Sequence, residues 1–110
     1  MKIAMINCLK ANEVCTGAGC LNAFNRKSRH FSRYGAEPLE LVALARCNGC
    51  EAGIDSGFRE KLDRIISEGA QVCHLGVCTV DRRTGQECPV ICQAADYLAA
   101  KGIAIVRGTH

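Results

Sequence analysis

A chain of 110 residues is long enough for one hydrophobic core and too short for two independent ones. Its 48% apolar and 23% charged residues are ordinary for a globular protein, and no apolar run approaches the roughly 18 residues of a membrane span. The net charge is only +3, much of the positive charge lying in "NRKSRHFSRYG" (25–35); with no aromatic interleaving or nucleic-acid motif beside it, that stretch reads as a solvated helix end complementing the helix dipole, and no nucleic-acid partner is expected.

The nine cysteines are the compositional anomaly. In a secreted chain they would suggest a disulfide framework, but "MKIAMINCLK" has only a short apolar stretch interrupted by Asn7, below the roughly 7 to 15 residues of a signal-peptide core. A reducing, cytoplasmic setting is therefore expected, where cysteine enrichment points to metal binding or thiol chemistry.

In chain order, "KIAMIN" (2–7) reads as a strand. A helical period comes next in Leu21, Phe24, Ser28 and Phe31, then a second strand in "LELVALA" (39–45). Ile54, Phe58, Leu62, Ile65 and Ile66 mark a second helix, "QVCHL" (71–75) a third strand, Val90, Ile91, Ala94, Ala95 and Leu98 a third helix, and "IAIV" (103–106) a fourth strand. Gly35, Gly69 and Gly102 each follow a helical segment where a left-handed cap is wanted. Such alternation predicts a single α/β domain over 1–110 with a four-stranded parallel sheet in the order 2-1-3-4 and three helices, a three-layer arrangement of Rossmann or flavodoxin-like type.

In such a sheet all strand exits gather at one edge, where open α/β folds bind ligands. Cys8 follows the first strand, Cys47 and Cys50 the second; His74 and Cys78 lie at the end of the third, and His110 follows the fourth. "CTGAGC" puts Cys15 and Cys20 at the start of helix one, and "ECPVIC" puts Cys88 and Cys92 at the start of helix three, with Pro89 at the favoured first position. Cys73 lies within a strand, facing the side opposite His74, and reads as core. With this strand order the switch point falls between strands one and three, flanked by Cys8, His74 and Cys78.

The N-terminal strand ending at Cys8, "CTGAGC", "CNGCEAG" (47–53), "HLGVC" (74–78), "CP" (88–89) and the closing "GTH" together resemble the CGGC-domain family of small prokaryotic proteins, described as metal-binding. The resemblance spans nearly the whole chain. The eponymous C-G-G-C reads C-N-G-C here, Asn48 replacing the first glycine; asparagine tolerates positive φ better than other non-glycine residues. The two cysteines are intact, and the resemblance implies that they serve a metal site.

Three mechanisms compete. The first is a metal site at Cys8, Cys47, Cys50 and Cys78, with His74 and His110 in reserve and Cys15, Cys20 and Cys88 as a second group. Mixed Cys/His sets favour zinc, while an iron–sulfur cluster, held by four cysteines, is the alternative. The second is thiol–disulfide exchange at Cys47 and Cys50, activated by the dipole of a helix starting near Ile54; the absence of an antiparallel hairpin later in the chain speaks against a thioredoxin-like fold. The third is an interaction module whose metal only holds the loops together. No Ser-His-Asp set, phosphate loop or carboxylate pair supports hydrolase or kinase chemistry.

Overall fold

The computed structural model describes residues 1–110. Strand β1 (Lys2–Asn7) leads to helix α1 (Ala18–Arg26), β2 (Glu40–Arg46), α2 (Ser56–Ser67), β3 (Val72–Leu75), α3 (Pro89–Ala100) and β4 (Ala104–Arg107), with short 3-10 segments at Ala11–Glu13, Arg29–Tyr34 and Val77–Thr79. All strand pairings are parallel and the order is β2-β1-β3-β4, as the alternation predicts.

The inner strands β1 and β3 are buried on both faces, which accounts for their nearly unbroken apolar runs. Alternate residues divide between two cores. Ala4, Ile6, Cys73 and Leu75 pack under Phe58, Leu62 and Ile65 of α2 and Ile91 and Leu98 of α3. Ile3, Met5 and Val72 face Cys20 and Ala23 of α1 and Phe31 beyond it. The result is a single α/β unit of helix, sheet and helix layers. No helix is long and apolar enough to cross a membrane.

Local chemistry fixes the helix ends. Asp55 caps α2, its carboxylate accepting the Phe58 N–H at 2.8 Å. Gly69 (φ 81°) and Gly102 (φ 87°) turn the chain out of α2 and α3, and the following amides bond back to Ile65 and Leu98 as a Schellman end requires.

The first helix departs from expectation. Its period predicts one helix through Phe31, but α1 stops at Arg26, with Lys27 left-handed at φ 50° and Arg29 at φ 52°. Positive φ in a side-chain-bearing residue costs roughly 1–2 kcal/mol, and two contacts set against it are visible. The Lys27 ammonium bonds the Gly35 and Glu37 carbonyls. Phe24 and Phe31, which a straight helix would hold roughly 10 Å apart, meet edge-on at 5.5 Å.

That reversal carries Phe31 and Tyr34 over β3, where they enclose His74. The fully buried imidazole stacks on Phe31 at 4.1 Å. Its Nδ1 lies 2.8 Å from the Gly108 carbonyl, which can only accept, so Nδ1 carries the proton. Nε2 then accepts from the Tyr34 hydroxyl at 2.6 Å. Burial holds the His74 pKa below the ordinary imidazole value; the Gly108 bond opposes this, and Arg33 and His30 reinforce it.

Two outcomes are expected. Below the ordinary imidazole value of about 6.5 the unfolded chain takes up a proton that folded His74 refuses, so His74 contributes stability above that pH which is lost as pH falls through its lowered folded value. Urea unfolding at pH 7.5 and 5.5 should show lower stability at the acid end, and equal or higher stability there contradicts the assignment. Tyr34→Phe, which leaves Nε2 without its donor, should cost about 1–3 kcal/mol at pH 7.5; an unchanged urea midpoint contradicts it.

Candidate metal centre

Because the strands are parallel, the four exits share one edge, and the loops leaving them set the sulfur positions. After β1, Cys8 is half-buried. The Asn12 amide and side chain both bond its carbonyl, and Arg46 at the end of β2 donates to Asn12 Oδ1 at 2.9 Å. The β1 loop is thereby tied to the β2 exit.

After β2, Cys47 is buried and its sulfur receives the Leu9 N–H at 3.4 Å. The next turn needs its positive φ at Gly49 (108°), while Asn48 lies outside that region, so replacing the first glycine of C-G-G-C strains nothing. Asn48 instead anchors the loop to α2: its amide donates to Asp55 Oδ1 at 3.0 Å and its oxygen accepts from Lys61 at 2.7 Å. Cys50 is exposed beyond this anchor.

After β3, the Val77–Thr79 turn carries half-buried Cys78, whose sulfur receives the Cys8 N–H at 3.2 Å. Burial raises the Cys78 pKa, and that amide bond opposes the rise. The chain then makes one antiparallel bridge, Val80 to Glu87, and Cys88 N–H reaches the Thr79 carbonyl at 2.8 Å. This small hairpin, not expected from the sequence, brings Cys88 back beside Cys78.

The thiols thus regroup. Cys8, Cys50, Cys78 and Cys88 line one cleft of about 370 Å³. Cys15, Cys20 and His110 line a neighbouring cleft of about 360 Å³, with Cys78 in the wall common to both. Cys88 therefore joins the first group expected from sequence and leaves the second, while Cys47 belongs to the core against which Cys88 packs. All nine thiols are free, and no three His, Cys, Asp or Glu side chains converge on one point as metal ligands do.

His74 stands apart. With Nδ1 on Gly108 and Nε2 on Tyr34, neither nitrogen is available as a ligand in this arrangement. Cys73 is core, burial pushing its pKa up to about 12. Cys92 donates to Glu87 Oε2 at 2.9 Å, a bond that raises its pKa above the usual thiol value.

The dithiol reading loses its electrostatic support. Helix α2 starts at Ser56 rather than near Ile54, and its first turn is capped by Asp55, whose carboxylate the Phe58 and Asn48 bonds hold below its usual pKa. Cys50 lies five residues before that cap, beyond the first-turn range of the dipole.

Arg82 and Arg107 also line the edge, at a cleft of about 470 Å³ beside the other two. Sequence reasoning missed both because neither sits in a motif; the only signal near Arg82 is the Asp81-to-Gly85 turn that folds the hairpin.

Comparison with curated proteins and with solved structures finds no match. The family model of the CGGC domain matches residues 2–110. Nine free thiols and that match are consistent with a metal-binding protein, and, with the match running over essentially its whole length, the chain belongs to the CGGC domain family.

Proposed function

We propose that this chain binds a soft metal ion, zinc in first place, through Cys8, Cys50, Cys78 and Cys88. One observation carries the reading: three strand exits and the start of α3 deliver four free thiols to the walls of one cleft. Four sulfurs suit zinc in a closed tetrahedral shell, and a shell of that kind supplies structure rather than reactivity. The same donors suit an iron–sulfur cluster, the alternative occupant.

Burial holds the Cys78 thiol above its usual pKa, and the Cys8 amide, donating to that sulfur at 3.2 Å, works against the rise and would support the ligating thiolate. Asn48, held by Asp55 and Lys61, fixes the root of the Cys50 loop. Since the four thiols share walls rather than a common point, metal binding and ordering of this edge are coupled. The site calls for a reducing compartment such as the cytoplasm, where thiols stay free.

Protein purified without oxygen or added metal should retain about one zinc per chain and show no visible absorbance. Cys88→Ser should lose that zinc, whereas Cys92→Ser, one turn along α3, and Cys73→Ala should keep it. Iron with acid-labile sulfide would transfer the reading to a cluster. Folded, metal-free protein that releases nine titratable thiols once denatured would contradict both.

A further inference from the structure

The second cleft contains an arrangement that metal binding at the first does not use. Cys20 lies in the first turn of α1, 6% exposed, with its sulfur 3.1 Å from the Thr109 hydroxyl and 3.7 Å from His110 Nδ1. Thr109 is fully buried, and its hydroxyl is also 3.1 Å from His110 Nδ1, so sulfur, hydroxyl and imidazole form a closed triangle. The ring is seated by a gap in α1: a Cβ on Gly19 would stand 2.9 Å from His110 Nε2. A thiol in contact with an imidazole that faces a cleft of about 360 Å³ has the parts of an activated nucleophile.

The cleft also has a charge preference. Arg82 and His110 line both this opening and the adjoining one of about 470 Å³, which adds His30 and Arg107. No aspartate or glutamate lines either opening. Arg107 is paired with Glu87 at 3.1 Å, but none of the chain's three ion pairs includes Arg82. An anion entering here meets an unpaired guanidinium in the lining of the cleft that holds the thiol.

The geometry points to Cys20 as a nucleophilic thiol, with His110 taking its proton directly or through Thr109, acting on small electrophiles that carry an anionic group for Arg82. In the reaction a bond forms from Cys20 sulfur to the electrophilic carbon, the leaving group departs with its electron pair, and the thiol proton passes to His110 Nδ1. Cys15, Cys20 and His110 lie outside the four-thiol set, so a failure of that set to bind metal leaves this inference standing.

The test is alkylation of the whole protein at pH 7 by iodoacetamide and by iodoacetate, with each site followed by peptide sequencing in the mass spectrometer. Iodide is the leaving group in both. Cys20, despite its burial, should react at least about tenfold faster than exposed Cys15 in the same cleft. His110→Asn should remove that advantage. Gly19→Ala, which displaces the ring while favouring the helix, should also remove it, so a folding failure in one variant does not decide the matter. The iodoacetate-to-iodoacetamide rate ratio at Cys20 should exceed that of a free cysteine peptide several-fold and fall to the peptide's value in Arg82→Gln. Cys20 slower than Cys15, rates indifferent to both His110→Asn and Gly19→Ala, or a ratio equal to the free peptide's would each overturn the proposal.

Discussion

Uniform strand direction is the constraint on which the rest of this molecule depends. Four parallel strands oblige the chain to leave the sheet four times at one edge, and each exit delivers sulfur or imidazole there. Loops shape the edge further. The Asn12 and Arg46 bonds join the first two exits, and the Val80–Glu87 bridge returns Cys88 to the third. A cleft with four thiols therefore assembles from residues spread between positions 8 and 88 with no disulfide between them.

His74 links the core to that edge. Its proton on Nδ1 holds the Gly108 carbonyl, just past the end of β4, and its Nε2 holds Tyr34 at the end of the Arg29–Tyr34 turn. Fixing Gly108 also fixes the last two residues of the chain: Thr109 is buried, and His110 is laid across Gly19 against Cys20. A histidine whose two nitrogens are both engaged within the fold thus sets the position of one that faces a cleft. Its burial in the neutral form is why the contact that organises the edge is also expected to weaken in acid.

Strand and helix order, strand pairing and the helix ends at Gly69 and Gly102 were legible because each has a local signature, an apolar period or a glycine at a cap. Cys73 was legible as core from its alternation with His74. The end of α1 at Arg26 was not, since Lys27 and Arg29 adopt positive φ where the Lys27 ammonium bonds Gly35 and Glu37 and Phe24 meets Phe31, contacts that no helical period encodes. His74 reads as a ligand when only neighbouring Cys78 is visible; Tyr34, forty positions away, holds its free nitrogen. The grouping of Cys88 with Cys78 depends on one hairpin, and the pairing of Cys20 with His110 spans ninety positions. Thiol types and their common edge follow from spacing, whereas partners within the edge follow from tertiary contacts.

The central claim, a site built from thiols alone, is tested most directly by X-ray absorption at the edge of the metal the protein retains. The account predicts a first shell of sulfur only, near ~2.3 Å for zinc, without the outer-shell scattering of an imidazole. A histidine signal or a mixed nitrogen and sulfur shell would contradict it, placing the metal at His110 and the Cys15 and Cys20 side of the edge.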